Sequence, residues 1–307
     1  MKKLTIVSPV YNEKETINVF LRKLLEVKEE IERKHKKINV NILLINDGSS
    51  DGTFDHSFLE ADVIHLIKNY GHQVALWAGL NYAKESDFII ALDSDLQDPP
   101  IYIIELLEKM LENSSVVLTY RKTRKDSITK KLMAFIYYRA LRMIFGANIV
   151  LDSGDYWGVD KNALKLLLNN TKNTKFFRGE LANLGLKTTL IPIHRDVRFG
   201  GKSKYNFNKM LNLAVSGITE QGKSIIQLLF RITMIYFLIM IIIYTILIFE
   251  EQNNYLLGVT IINLLIYCIN LLFVISIYLN KIVVELEGKT NYILKEINEI
   301  SVKDEVR

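Results

Sequence analysis

With 307 residues, 49% of them hydrophobic, and a mean hydropathy of +0.14, the chain holds one large domain or two small ones and concentrates its apolar residues somewhere. Its net charge of +5 and pI near 9.0 suit an anionic partner: nucleic acid, a membrane surface or a phosphorylated substrate. A lone cysteine, Cys268, excludes an intrachain disulfide and fits a reducing compartment.

Met1-Lys2-Lys3 runs straight into a predicted strand over 4–8 with no signal-peptide pattern, so the N-terminal part is expected in the cytoplasm. Pro9-Val10-Tyr11-Asn12-Glu13 follows, then an amphipathic helix over 15–36 with Ile17, Phe20, Leu21, Leu24, Leu25 and Val27 on one face. A second strand over 40–45 closes on Asn46-Asp47-Gly48-Ser49-Ser50-Asp51-Gly52-Thr53, a run of turn and helix-cap residues. A third strand covers 63–67, and Asn69-Tyr70-Gly71-His72-Gln73 leads into a helix ending near residue 84. The apolar run Phe88-Ile89-Ile90-Ala91-Leu92 reads as a buried parallel strand. It ends on Asp93-Ser94-Asp95-Leu96-Gln97-Asp98-Pro99-Pro100, and the prolines suit the first turn of a helix over 101–111. A fifth strand over 116–119 ends on Tyr120-Arg121. The alternation predicts an α/β fold with a mostly parallel sheet and helices on both faces.

The texture then changes. Residues 126–145 form a helical pattern with Phe135, Tyr137 and Tyr138 on one side and Lys130, Lys131, Arg139 and Arg142 on another, which suits a membrane interface better than RNA. Asp152-Ser153-Gly154-Asp155-Tyr156-Trp157 reads as a strand returning to the sheet. Helices are expected over 161–168 and 176–184, and an extended segment over 187–197. It leads to Arg198-Phe199-Gly200-Gly201-Lys202-Ser203-Lys204-Tyr205, followed by an amphipathic connector over 206–230. Residues 232–249 and 255–279 carry no charge. Each is long enough to cross a hydrocarbon core of about 30 Å. The acidic loop Glu250-Glu251 faces outward by the positive-inside rule, because Lys223, Arg231, Lys281 and Lys289 flank the pair. The expected organisation is a cytoplasmic domain over 1–205, a connector, a transmembrane hairpin within 231–280 and a cytoplasmic tail over 281–307. Asn263 and Asn270 suggest a polar helix–helix contact, within the hairpin or with another subunit.

Carboxylates at the carboxyl end of a parallel strand stand where α/β sheets bind ligands, and oxygens at alternate positions can converge on a hard cation such as Mg2+ or Mn2+. Taken alone, Asp93-Ser94-Asp95 reads more readily as a capped turn. His72 and His194 read as hydrogen-bonding and surface residues rather than metal ligands. Arg121 at a strand end suits a phosphate, since its planar fork binds oxygens in pairs. Arg198, Lys202, Ser203 and Lys204 form either a phosphate-binding loop or a juxtamembrane basic patch. The loop lacks the Walker spacing.

Six stretches in order give the chain a resemblance: Ser8 to Glu13, Asn46 to Thr53, Asn69 to Gln73, Asp93 to Pro100, Ser153-Gly154-Asp155 and Arg198 to Tyr205. Together they resemble the inverting polyprenyl-phosphate glycosyltransferases of the GT-A fold, relatives of dolichyl-phosphate mannose synthases and bacterial undecaprenyl-phosphate glucosyltransferases. The resemblance implies transfer of one hexose, glucose favoured, from a nucleotide diphosphate sugar, UDP favoured, to a polyprenyl phosphate at the cytoplasmic membrane face. It implies Asp93, Asp95 and Gln97 as ligands of Mg2+ or Mn2+, and Pro9, Tyr11, Glu13, Asp47 and Asp93 around the nucleotide. Arg121, Arg198, Lys202, Ser203 and Lys204 would meet donor diphosphate and lipid phosphate, with Asp155, Asp95 and Arg121 as catalytic residues. Asp155 is the family's candidate base, yet a phosphate monoester with a second pKa of about 6 is already ionised at neutral pH, so Asp155 can equally orient the acceptor or stabilise charge at the anomeric carbon. The family usually carries Asp where this chain has Asn46, and an amide both donates and accepts. A lipid bilayer and further copies of the chain are the other expected partners, and nucleic acid is not. The rival readings are a same-fold enzyme extending a glycolipid or polysaccharide, and an inactive membrane-tethered nucleotide-sugar sensor or scaffold.

Overall fold

The computed structural model describes residues 1–55, 60–121, 153–170, 177–194, 222–249, 253–287 and 292–298. They fall into two compact units, a sheet domain and a pair of long helices. The expected interfacial helix over 126–145, the basic loop over 198–205 and most of the connector lie outside the described residues.

The sheet domain opens with β1 (Lys2–Val10), α1 (Ile17–Lys34), β2 (Ile38–Asn46), β3 (Asp62–Leu66), α2 (His72–Tyr82), β4 (Phe88–Ala91), α3 (Tyr102–Leu111) and β5 (Val116–Arg121). It continues with β6 (Ser153–Asp160), α4 (Lys161–Asn170), α5 (Phe177–Asn183) and β7 (Thr188–Ile193). Beyond the two long helices, α6 (Gly222–Phe249) and α7 (Asn253–Glu287), the chain returns as β8 (Leu294–Asn298). The strand order is β7-β5-β6-β4-β1-β2-β3-β8. β1 runs parallel to β2 and β4, β2 to β3 and β5 to β7, whereas β6 and β8 are antiparallel to their neighbours. This is the mostly parallel sheet the alternation implied, and it fits the GT-A fold of the resemblance.

Side-chain alternation along the strands builds two cores. Leu4, Ile6, Ile42 and Leu44 pack with Phe20, Leu24 and Ile31 of α1 and with Ile103 and Leu106 of α3 on one face. Val7, Leu43 and Ile45 pack with Ala75, Leu76 and Leu80 of α2 and with Leu164 and Leu167 of α4 on the other. β1 is buried over Leu4 to Val10, Thr5 and Ser8 included, because it sits in the middle of the sheet with covered faces. The close seat of α2 depends on Gly79, where an added Cβ would stand 2.6 Å from a Val7 methyl and 2.7 Å from Ile45 Cδ1.

The tail over 281–307, expected to follow the hairpin as a plain extension, contributes a strand to the sheet edge. In β8, Leu294 to Asn298 pairs antiparallel with β3, with a bulge between His65 and Leu66. Five residues, exposed along most of the strand, carry too weak a period for the sequence to announce it.

In the second unit, α6 and α7 have 28 and 35 residues and pack on one another. Tyr236 donates to Asn263 Oδ1 at 2.8 Å, and the rings of Phe237 and Tyr267 lie 5.9 Å apart. Asn270 donates to the Ile266 carbonyl of its own helix at 2.9 Å. The continuous runs of described side chains, 231–243 and 261–276, are shorter than a membrane crossing, and among the described residues no helix is long and apolar enough to cross a membrane.

Candidate active site

β1 is a topological switch point: the chain adds β2 and β3 on one side of it and β4 on the other. Ligands bind at the carboxyl ends of strands beside such a point. Tyr11 to Glu13 leave β1 there, Asp47 leaves β2, and Asp93 and Asp95 leave β4. β6 runs the other way, so its first residues reach the same edge. Its register pairs Ala91 with Trp157, and two more residues along each chain set Asp155 opposite Asp93. Sheet topology thus unites carboxylates from distant segments.

The turn after β4 is held from several sides. The Ser94 hydroxyl donates to the Pro9 carbonyl at 3.1 Å, tying the end of β4 to the end of β1. The Gln97 N–H donates to Asp95 Oδ1 at 3.0 Å. Leu96 between them has φ of 60° and is buried in the core. A left-handed leucine costs about 1–3 kcal/mol and persists only where its surroundings hold it. The buried Tyr156 hydroxyl lies 3.3 Å from the Pro99 carbonyl and 3.4 Å from that of Pro100, so β6 is pinned to the far end of the same turn.

α2 enters the site from the other core. Gly71, with φ of 97°, caps it, and His72 Nε2 stands 3.4 Å from Asp93 Oδ1 and 3.6 Å from Asp155 Oδ2. Gln73 Nε2 donates to Asp155 Oδ2 at 3.1 Å. The N-terminal end of this helix favours negative charge. Burial pushes Asp93 up to about 6; His72 opposes that push, while Asp155, Asp95 and Asp98 add to it. The side chain keeps 27% exposure, enough for a ligand to reach it.

The nucleotide candidates line the β1 and β2 ends. Asp47 is buried, and accepts from the Tyr70 N–H at 2.7 Å and the Gly71 N–H at 2.9 Å. Burial raises its pKa, and those backbone donors and His72 pull against the rise. Glu13 accepts from the Thr16 hydroxyl at 2.8 Å, and its N–H donates to Thr53 Oγ1 at 3.0 Å. Asn12 donates its N–H to Ser49 Oγ at 3.1 Å and accepts from the Ser50 N–H at 2.9 Å. The loops after β1 and β2 therefore form one stitched surface. Pro9 is buried in it and Tyr11 is half-buried.

The structure gathers Pro9, Tyr11, Glu13, Asp47, Asp93, Asp95, Gln97 and Asp155 along one sheet edge. The backbone of Arg121 ends β5, but its side chain and all of Arg198, Lys202, Ser203 and Lys204 lie outside the described residues. His194, exposed, follows β7 with its N–H on the Tyr102 hydroxyl at 3.2 Å. Sequence reasoning gave His72 a hydrogen-bonding place at a helix start and assigned no role to Gln73. Both touch the carboxylate pair, and their only signal was membership of the Asn69-Tyr70-Gly71-His72-Gln73 stretch.

Comparisons with known proteins place the chain in a family. The Glycosyl transferase family 2 profile matches residues 5–168. The uncharacterized glycosyltransferase YkcC of Bacillus subtilis (strain 168) is 36% identical over 222 residues, 70% of this chain and 67% of that protein. The prophage bactoprenol glucosyl transferase homolog of Escherichia coli (strain K12) is 33% identical over 227 residues, 71% of this chain and 72% of that one. Among solved structures, glucosyl-3-phosphoglycerate synthase from Mycobacterium tuberculosis gives a TM-score of 0.48 at 18% identity, over 73% of this chain and 80% of that one. The chain belongs to Glycosyl transferase family 2 and is a glycosyltransferase enzyme.

Proposed function

We propose that the enzyme transfers glucose from UDP-glucose to a polyprenyl phosphate at the cytoplasmic face of a membrane, with inversion and with Mg2+ or Mn2+. The observation that carries this is the meeting of Asp93 and Asp155 beside His72 at the switch point, one carboxylate from each of two antiparallel strands. The relatives named as bactoprenol glucosyl transferases support the choice of glucose and of a polyprenyl acceptor.

The residues fit a divalent cation. Asp93 is pushed toward its neutral form by burial and by its acidic neighbours, so the cluster is short of positive charge. Carboxylate and amide oxygens are hard donors suited to Mg2+ or Mn2+. Among the described residues no group of three or more His, Cys, Asp or Glu is arranged to hold a metal ion. Asp93, Asp95 and Gln97 would therefore hold the ion together with substrate oxygens. A bound cation supplies Lewis-acid stabilisation of the diphosphate leaving group. The helix N-terminus at Gly71 and His72 favours the same negative charge. Asp155, oriented by Gln73, faces the space beside Asp93 and orients the acceptor or offsets positive charge at the anomeric carbon. The acceptor phosphate, largely ionised at neutral pH, attacks without first giving up a proton, and in-line attack inverts an α-linked donor to a β-linked product.

The membrane part of the reading rests on α6 and α7. Helices of 28 and 35 residues extend about 42 Å and 52 Å at 1.5 Å per residue. Ile235, Leu238, Ile242, Leu264, Ile269 and Leu272 each expose more than half their surface, an apolar display that suits lipid. The segments before and after the two helices both contribute strands to one sheet, which fits an even number of crossings. An anchored site meets a lipid-borne phosphate in two dimensions, which raises its effective concentration.

The test supplies the full-length protein with radiolabelled UDP-glucose and undecaprenyl phosphate, with Mn2+, Mg2+ or EDTA. Label in a mild-acid-labile lipid, lost with EDTA, is expected. Label in a polymer or an alkali-stable glycolipid would favour the extending enzyme, and nucleotide-sugar binding without turnover would favour a sensor.

A further inference from the structure

The returning strand β8 does more than cover a sheet edge. Its last residue, Asn298, has its amide nitrogen 3.3 Å from His65 Nε2. The other ring nitrogen, Nδ1, is 2.9 Å from Asn46 Nδ2. Asn46 Oδ1 accepts the Ser49 N–H at 2.8 Å, and Ser49 Oγ accepts the Asn12 N–H at 3.1 Å. A continuous chain of hydrogen bonds thus runs from the tail strand to the loops assigned above to the nucleotide. Phe54 meets the His65 ring edge-on at 5.4 Å and steadies it from the side. The bulge in the β3–β8 pairing falls at His65, where bulges characteristically re-aim a side chain beside a site.

The chain has one consistent set of donors. Asn46 spends its oxygen on Ser49, so it presents NH2 to His65. His65 Nδ1 must then accept, and the neutral ring carries its proton on Nε2. Asn298 must answer with its amide oxygen, the flipped assignment of a group whose O and N are interchangeable by rotation. A doubly protonated ring would set a donor against the Asn46 NH2. Burial, with Lys295 assisting and Glu296 opposing, holds His65 below its ordinary value and keeps the ring neutral.

We propose that Asn298 and His65 are positioning residues for the donor site: through Asn46 they hold the 46–53 turn in the shape that receives the nucleotide. This rests on the reading of that turn as part of the nucleotide pocket. A strand that merely covers the edge of β3 would owe nothing to this amide.

The experiment uses the full-length protein in nanodiscs and compares wild type with Asn298→Ala, Asn298→Asp and Ile297→Ala, the last an exposed, uncharged residue of the same strand that pairs with Ile64 rather than His65. Two readouts are taken. Amide hydrogen exchange without nucleotide follows peptides covering 11–14 and 46–53, and donor kinetics follow at saturating undecaprenyl phosphate. Asn298→Ala is expected to speed exchange in those loops and to raise the UDP-glucose KM by about threefold to tenfold, the worth of one net hydrogen bond, while kcat stays within about twofold. Asn298→Asp restores both, because a carboxylate accepts the Nε2 proton as the amide oxygen does. Ile297→Ala changes neither. Unchanged exchange and KM in Asn298→Ala, or an Asn298→Asp that behaves like Ala, would overturn the proposal. Faster loop exchange in a protein whose wild type binds no nucleotide would instead leave the positioning intact and sink the nucleotide reading.

Discussion

Asp93 is a carboxylate that its own surroundings drive toward neutrality. Its pKa in the folded protein, about 6, stands above the ordinary 3.8, so the unfolded chain gives up this proton more readily. Ionised Asp93 therefore costs stability; the cost is absent below pH 3.8, grows between 3.8 and about 6, and is complete above that. A divalent cation that replaces the proton removes the cost. Thermal unfolding should show Mn2+ or Mg2+ raising Tm clearly at pH 7.5 and much less at pH 5, where proton and cation compete; equal shifts at both pH values would contradict a carboxylate site. In turnover assays Asp95→Ala should abolish cation-dependent transfer with the fold intact, and Asp155→Asn should lower kcat by at least about a hundredfold, the scale of a lost group acting in the transition state. Near-normal turnover in Asp155→Asn would remove that residue from the chemistry. At this scale Asp93 and Asp95 were visible as carboxylates closing a strand, although alone they read more readily as a capped turn, and Asp155 entered only through the resemblance. The part played by His72 and Gln73 was not visible, because their approach depends on how α2 seats against β1 and β2.

At the scale of elements, the turn after β2 depends on a glycine. Gly48 has φ of 68°, and a Cβ there would stand 2.4 Å from the Lys68 carbonyl carbon and 2.5 Å from the Asn69 nitrogen. Neither backbone atom can give way without moving the segment whose next N–H groups bind Asp47. Gly48→Ala is expected to cost at least about 2 kcal/mol, combining the left-handed penalty with the clash. Denaturant melts would read that loss, and nucleotide affinity should fall with it. A fully stable Gly48→Ala would mean that the 46–53 turn is softer than its hydrogen bonds imply. The order and type of β1 to β7 follow from buried apolar runs and turn residues, which is why the alternation was readable. The ends of β1 to β5 differed by a residue or two, β6 runs three residues past Trp157 and β7 stops at Ile193, since the register of neighbours, rather than local propensity, decides where pairing stops. The reverse direction of β6 is a tertiary fact, and it alone brings Asp155 to Asp93.

At the scale of the whole molecule, two long helices, carrying the uncharged runs 232–249 and 255–279, join segments of a single sheet. If lipid covers them, a charge near mid-span is costly. Ile239, 49% exposed, is the place to test it. Ile239→Arg should weaken insertion by about 2.5–3.5 kcal/mol, read as protein released from membranes by carbonate washing. The sheet domain's own thermal transition should be unchanged. Retention equal to wild type would argue that the helices lie elsewhere than in the bilayer.

His65 and Asn298 are 233 residues apart. On a ribosome that distance is time. The strands β1 to β4 can pair once they emerge, but β8 exists only after both long helices have been made. Short-range pairings come early and such distant ones late. The edge of β3 therefore waits, uncovered, through the synthesis of α6 and α7, and the hydrogen-bond chain to the 46–53 turn closes only afterwards. Order of manufacture thus makes an unfinished chain a poorly shaped receiver of sugar nucleotide.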